Sequence, residues 1–348
     1  MKRSPANGRN LASAMSLTLA LLAFGLLAPA GFLGGSSSAA AATSTSSAVA
    51  KKTTTVHHTS KKRHTSGTSV RRTTHRTHRS ASARRLRRGR RVPMTGSRAA
   101  VIMDASTGEI LFEKNAGSPR PIASLTKLMT NTVFLETDPD LDREVTISRD
   151  DILGSGHTQL RAGEVVTIRQ LLYHSLMSSD NAATKALVHN SGIPPDEFLD
   201  RMNRKADVLG LHNTRFVEFT GLDPQNQGSA EDIAQLLKYA ATRPLIAEIT
   251  SAPEYEYRSN RRVHHLVNSN RLTRYGQLDV LSGKTGFISS AGYCVATWVR
   301  QGSRDLITVV LGAPSNPARF NETRRLLVDF QAHAAEAATV APAITSPN

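Results

Sequence analysis

Ala123-Ser124-Leu125-Thr126-Lys127-Leu128-Met129 is the stretch around which the chain is organised. It sets a serine three residues before a lysine at the start of a helix-like run. On a helix, positions i and i+3 share a face and their side chains meet. A serine hydroxyl is a weak nucleophile until a neighbouring base accepts its proton. A lysine becomes that base when burial or a nearby cation lowers its pKa. The stretch is a nucleophile with its activator built in, and no other serine of the chain has a lysine three places on. Taken alone, the spacing also describes an ordinary exposed helix pair. What separates the two readings lies further along the chain.

Two more short elements follow in order. Ser179-Asp180-Asn181 falls between two predicted helices, and Lys284-Thr285-Gly286, preceded by Gly283, falls at the head of a predicted strand. Acyl transfer needs a nucleophile, an oxyanion hole and a proton route to the leaving amine. Ser124 can attack a carbonyl and Lys127 can accept its proton. Ser179 can relay a proton to the leaving nitrogen, and Asn181 can orient Lys127 and a substrate amide. Lys284 adds positive potential, which keeps Lys127 neutral and attracts a substrate carboxylate, while Thr285 can hydrogen-bond that carboxylate. Gly286 lets a substrate backbone lie along a strand edge. The backbone N–H groups of Ser124 and Phe287 are the natural oxyanion hole. Each element also has a plain structural reading: Ser179 and Asn181 can cap a helix, and Thr285-Gly286 can be a turn. The three in this order are the pattern of class A β-lactamases and penicillin-binding proteins.

Outward from these motifs, Ala99 to Asp104 reads as a strand, Ser106 to Glu109 as a turn, and Ile110 to Glu113 as the returning strand. The Ser124 helix follows Pro121 and runs to about Leu135; Leu128, Phe134 and its threonines predict a largely buried element. Thr167 can cap a helix through Leu176, and another follows Asp180 through Leu187. Glu197 to Leu209 and Glu231 to Ala241 are further helices, the second capped by Ser229. Val280-Leu281, Tyr293 to Val299 and Leu306 to Leu311 are strand-like, and Asn321 to Ala332 closes as a helix. Strands at both ends with helices between them predict an α+β fold, an antiparallel sheet packed by helices plus an all-helical subdomain.

Charge is unevenly distributed over the 348 residues. The formal +16 comes from residues 1–93, which hold 18 Lys and Arg and no Asp or Glu; the rest has 26 basic against 28 acidic residues. Residues 1–42 have a basic start, an apolar run from about Met15 to Leu33 and a small-residue exit near Ala42. This is the pattern of a secretory signal peptide, or of an uncleaved anchor. Either places the rest outside the cytoplasm, in the periplasm or cell envelope. Residues 43–95 are Ser, Thr, Lys, Arg and His with few large apolar side chains, and are expected to be disordered. They serve as a spacer or as an electrostatic tether of residues 43–93 to an anionic wall or membrane surface; an exported chain does not meet nucleic acid. The folded domain is expected over 96–332, with an unstructured tail over 333–348. Cys294 is the single cysteine, expected as a small buried hydrophobe. His157, His264 and His265 have no carboxylate or cysteine cluster beside them, so no metal and no cofactor is expected.

The sequence resembles the low-molecular-mass penicillin-binding proteins, the D-alanyl-D-alanine carboxypeptidase and endopeptidase family of serine peptidases. The resemblance covers about residues 97–330. It extends to Asp104-Ala105-Ser106-Thr107-Gly108, Phe219-Thr220-Gly221-Leu222-Asp223, Asn268-Ser269-Asn270, and Phe287 with Ala291-Gly292-Tyr293. It implies action on D-Ala-containing stem peptides of peptidoglycan, acylation of Ser124 by β-lactam antibiotics, and a serine β-lactamase/D,D-peptidase-like fold. Carboxypeptidases of the family often carry a histidine after Lys-Thr-Gly, and a second domain. Phe287 stands at that position here and the chain stops soon after its last helix, which is more like the endopeptidase branch. Arg319 stands where family members often have an arginine; it either pairs with a substrate carboxylate or caps the closing helix at the surface. The rival readings are a β-lactamase and a non-catalytic wall-binding protein. The first needs a deacylating glutamate, and Pro194-Pro195-Asp196-Glu197-Phe198-Leu199 lacks the asparagine that the pattern places after it.

Overall fold

Every residue of Ala99–Asp104 is buried, as a strand covered on both faces requires. This strand, β1, lies inside a five-stranded antiparallel sheet of the computed structural model, which describes residues 96–340. The expectations for residues 1–95 lie outside the described residues. The other strands are β2 (Ile110–Lys114), β5 (Asp279–Ile288), β6 (Gly292–Gln301) and β7 (Arg304–Ala313), in spatial order β2-β1-β7-β6-β5. A separate hairpin pairs β3 (Glu254–Arg258) with β4 (Val263–Val267).

The period of two in β1 divides its side chains between two cores. Ala99, Val101 and Met103 join the larger core, and Ala100 and Ile102 join Phe320, Leu326, Leu327 and Phe330 of the last helix. That helix, α7 (Asn316–Val340), begins before the expected Asn321 and continues past Ala332. Pro317 suits a first helical turn, and the alanines after Gln331 favour continuation where a tail is expected. Asp104 ends β1 and folds the turn after it. Its Oδ1 accepts from the Ser106 N–H, the Ser106 hydroxyl and the Thr107 N–H, and its Oδ2 from Arg304 at 2.7 Å. The Asp-Ala-Ser-Thr-Gly motif is therefore a structural turn.

The helical part is built around α1 (Thr126–Leu135), of which every residue but Leu135 is buried. It is surrounded by α2 (Ile168–Leu176), α3 (Asn181–His189), α4 (Pro195–Val208) and α5 (Ala230–Ala240). A helix covered all round shows little amphipathic pattern, and its polar side chains must find partners inside. Thr130 Oγ1 donates to the Phe219 carbonyl at 2.6 Å, and Asn131 Nδ2 to the Lys127 carbonyl at 2.7 Å and Ser175 Oγ at 2.8 Å. Thr167 and Gln170 form a capping box at the start of α2, and Ser229 caps α5, as their types predict. A further helix, α6 (Pro244–Ser251), leads into the β3–β4 hairpin and packs on β5. The architecture is α+β, with the sheet and the helical part meeting where β5, the sheet's edge strand, runs past residues 122–124.

Candidate active site

The nucleophile does not start a regular α-helix. Ser124 lies in a 3₁₀ turn, Ala123–Leu125, that leads into α1. Ala123 has φ +50°, in the left-handed region, and Thr126 Oγ1 closes the turn by donating to the Ala123 carbonyl at 2.8 Å. Gly221 packs against this turn: a Cβ there would sit 2.0 Å from the Ala123 carbonyl oxygen, and Gly221 has φ +88°. Only glycine fits both conditions.

One turn along the helix, Lys127 is fully buried. Its Nζ lies 3.1 Å from Ser124 Oγ, 2.6 Å from Asn181 Oδ1 and 2.6 Å from the Thr220 carbonyl oxygen. The Asn181 amide is oriented by its Nδ2, which donates to the Ser155 carbonyl at 2.9 Å. Burial lowers the Lys127 pKa to about 7, while the charges of Glu218 and Asp180 act in the opposite direction. Burial is the largest cause of this shift, and the repulsion between the Lys127 and Lys284 charges is seen in the lowered pKa of Lys284. A neutral lysine has two N–H donors and one lone pair. Asn181 Oδ1 and the Thr220 carbonyl can only accept, so they take the two hydrogens, and the lone pair is left for the Ser124 hydroxyl.

Asp180 caps α3 through the Ala182 and Ala183 N–H groups. That cap sets Ser179 just before the helix with φ +65°, a strained position of the kind found at functional sites. Lys284, fully buried on β5, donates to Ser179 Oγ at 2.8 Å and to the Thr285 carbonyl at 2.9 Å. Burial first, then the charges of Lys127 and Arg319, push its pKa well down. Lys284-Thr285-Gly286 occupies the interior of β5 and not its head. Gly283 and Gly286 mask the strand pattern in the sequence, yet the segment pairs with β6, Gly286 opposite Cys294. A Cβ on Gly286 would come within 2.9 Å of the Ile122 carbonyl oxygen and 3.0 Å of the Ser124 nitrogen. The glycine is thus needed for the strand to reach the nucleophile turn, besides leaving room for a substrate backbone. Phe287 is 48% exposed and stacks on Tyr293 with centroids 4.2 Å apart.

Arg319 is buried, which removes the surface-cap reading. Its Nη1 donates to the Gly286 carbonyl at 2.9 Å and the Cys294 carbonyl at 3.0 Å, and its guanidinium lies over Tyr293 and Phe320. Burial lowers its pKa to about 10. Cys294 is buried as expected, and burial raises its thiol to about 11. Glu197 lies on the outer face of α4, half exposed and paired with Arg201 at 2.6 Å.

Several participants were not singled out by their chemistry in the sequence. Glu218 accepts from the Thr220 N–H and hydroxyl, the Gly221 N–H and Asn226 Nδ2, and so shapes the loop whose carbonyl holds Lys127. Ser269 Oγ accepts from Thr285 Oγ1 at 2.7 Å, and the Ser269 N–H donates to the Met177 carbonyl at 3.0 Å. The Phe-Thr-Gly-Leu-Asp and Asn-Ser-Asn motifs were the available signals for both.

Comparisons with known proteins show the family. The model of a family described as D-alanyl-D-alanine carboxypeptidase matches residues 87–315. A D-alanyl-D-alanine endopeptidase of Pseudomonas aeruginosa is 32% identical over 234 residues, covering 66% of this chain and 76% of the relative. A D-alanyl-D-alanine carboxypeptidase of Escherichia coli is 34% identical over 246 residues, covering 68% of this chain and 61% of the relative. The crystal structure of a penicillin-binding protein from Listeria monocytogenes, in its cefotaxime-bound form, superposes with a TM-score of 0.60 at 29% identity, covering 68% of this chain and 97% of the other.

Proposed function

Because the chain belongs to the D-alanyl-D-alanine carboxypeptidase family of serine peptidases, we propose that it cleaves D-Ala bonds of peptidoglycan stem peptides through a Ser124 acyl-enzyme, with cross-links as its main substrate. The observation that carries the mechanism is the hydrogen-bond set of Lys127. With its two hydrogens held by Asn181 Oδ1 and the Thr220 carbonyl, the neutral amine presents its lone pair to Ser124 Oγ–H.

Ser124 Oγ attacks the carbonyl carbon of the penultimate D-Ala as its proton passes to Lys127 Nζ. The negative oxygen of the tetrahedral intermediate is held by the Ser124 and Phe287 N–H groups. The proton then travels from Lys127 through the Ser179 hydroxyl to the leaving nitrogen, the C–N bond breaks, and the amine departs. Water adds to the ester, the same groups return the proton to Ser124 Oγ, and the acid is released. Lys284 holds Ser179 in place for the relay, and Thr285 and Arg319 serve the substrate carboxylate side. The endopeptidase preference is supported by Phe287 after Lys-Thr-Gly and by the similarity to an endopeptidase.

β-Lactams enter as mimics of the D-Ala-D-Ala unit and acylate Ser124. Deacylation is slow, since Glu197 is turned to solvent and paired with Arg201. The N-terminal pattern supports export to the periplasm or cell envelope, with residues 43–93 as a tether to an anionic surface; N-terminal sequencing of the mature protein tests the first part. The decisive experiment is mass spectrometry of muropeptides after incubation with the purified protein, using pentapeptide monomers and cross-linked dimers. Conversion of dimers to monomers is expected; loss of one alanine from pentapeptides with dimers intact would make the enzyme a carboxypeptidase. No change in either, with penicillin still bound at Ser124, would overturn the substrate class.

A further inference from the structure

Behind Ser179 lies a buried polar chain that the catalytic steps do not use. His174, at the end of α2, is fully buried, and its carbonyl accepts from the Asp180 N–H at 2.9 Å and the Ser178 hydroxyl at 2.9 Å. Its ring Nε2 lies 2.6 Å from the Tyr257 hydroxyl of β3. The Tyr257 ring stacks on His264 of β4, centroids 4.7 Å apart and nearly parallel. His264 Nε2 lies 2.6 Å from Glu164 Oε1, which also accepts from Ser259 at 2.6 Å. At the other side of the His174 ring, Nδ1 has no hydrogen-bond partner and lies 3.7 Å from Asp180 Oδ2. That oxygen accepts from Thr158 Oγ1 and the Gln159 N–H.

We infer that the Tyr257–His174 hydrogen bond is a positioning device for the Ser-Asp-Asn loop, fixing where the Ser179 hydroxyl stands in the proton relay. The inference rests on the role of Ser179 given above. For a neutral His174 ring the chemistry selects the direction of the bond. If His174 donated from Nε2, its Nδ1 lone pair would face the Asp180 carboxylate at 3.7 Å in a site closed to water. If Tyr257 donates, Nε2 accepts and Nδ1 carries the hydrogen, turned towards the carboxylate, which is the favourable arrangement. Burial raises the Tyr257 phenol well above its ordinary range, so it stays a donor. The ring of His174 is thereby locked between β3 and Asp180. Through its own carbonyl it holds the Ser178 hydroxyl and Asp180 N–H on either side of Ser179, the residue kept at φ +65°. The β3–β4 hairpin reaches the same loop a second time. Ser269, just after β4, binds the Met177 carbonyl and the Thr285 hydroxyl. The hairpin is thus tied to the second and third motifs together, and Tyr257 is its link to His174.

The test compares two tyrosines on the full chain. Tyr257→Phe keeps the ring stacked on His264 and removes only the hydroxyl. Tyr173→Phe removes an equally short bond, 2.6 Å to Glu248 Oε1, from the residue beside His174 but away from the loop. Tyr257→Phe is expected to lower kcat for D-Ala bond cleavage and the rate of Ser124 acylation by a fluorescent penicillin by roughly tenfold, with KM nearly unchanged. Tyr173→Phe is expected to leave both at the wild-type level. Wild-type rates in Tyr257→Phe, equal losses in the two variants, or a change confined to KM would each overturn the inference. Failure of Tyr257→Phe to fold leaves a reading on the native protein: the nitrogen NMR shifts of His174 are expected to show hydrogen on Nδ1 and a free Nε2, and hydrogen on Nε2 would overturn the inference. If the wild-type protein is not acylated at all, the proposed function fails first, and the two failures are distinct.

Discussion

The site has a helical wall and a sheet wall, and the two are held by different means. On the helical wall, side-chain hydrogen bonds join Lys127 to Ser124 and Asn181, and the Ser155 carbonyl holds Asn181. On the sheet wall, Lys284-Thr285-Gly286 is fixed by its backbone: pairing with β6, a missing Cβ opposite the nucleophile turn, and two carbonyl oxygens near the strand edge held by Arg319. On the first wall the reacting atoms are also the structural ones. On the second, the chain path sets the shape, and the Lys284 and Thr285 side chains are bonded to Ser179 and Ser269. Damage to the first should therefore appear in the chemical step, and damage to the second in stability and chemistry together.

The largest separation is expected from Lys127→Met, which keeps the aliphatic stem and removes the base. Acylation by labelled penicillin should fall by about 10³-fold or more while circular dichroism shows a folded protein. A surviving rate would place the base elsewhere. Gly286→Ala comes next. The added methyl meets the Ile122 carbonyl and the Ser124 nitrogen, so it should cost about 1–3 kcal/mol in thermal unfolding and slow acylation in parallel. Stability lost with acylation intact would separate shape from chemistry on this wall as well. Arg319→Met frees the Gly286 and Cys294 carbonyls and should destabilise by about 1.5–3 kcal/mol, again with a slower acylation step.

The smallest effect is a shift that should fail to appear. Lys127 has a pKa of about 7, lowered by burial, so kcat/KM for acylation should rise as pH passes through about 7. Lys284→Gln should lower the plateau but leave the inflection within about half a pH unit, because burial is the largest cause; a larger displacement would make Lys284 the controlling charge. The same group has a signature in stability. The native state holds fewer protons than the unfolded chain between about pH 7 and the ordinary lysine value near 10.4, so unfolding free energy should rise with pH across that window in wild type. Lys127→Met should reduce this slope and leave the share of Lys284, whose pKa burial also lowers.

The helical wall was largely legible in the sequence, because its catalytic groups are side chains at fixed local spacing: Ser124 and Lys127 on one turn, Asn181 at a helix start. What the spacing did not contain was the positive φ at Ala123, which bends the nucleophile into a 3₁₀ turn. The sheet wall was legible by motif but not by element. Gly283 and Gly286 broke the alternating pattern, and the need for glycine becomes apparent only when the Ile122–Ser124 turn is seen against β5. The β3–β4 hairpin was missed although Glu254-Tyr255-Glu256-Tyr257 alternates as a strand should. The burial of Arg319 had no local signal, since its partners belong to β5 and β6.

β1 lies between β2 and β7, with Ala99 opposite Leu311. The earliest strand of the sheet therefore waits for the latest one, and such distant closure is a slow event in folding. As the chain is synthesised, all three motifs have emerged before the strand that completes the sheet. Until then β5, which carries Lys284, and β6 have no partner strand to join them to β1. A chain cut short before Arg304 holds the residues of the three motifs but not the strand that joins β1 to β6, and it is expected to bind no labelled penicillin at Ser124.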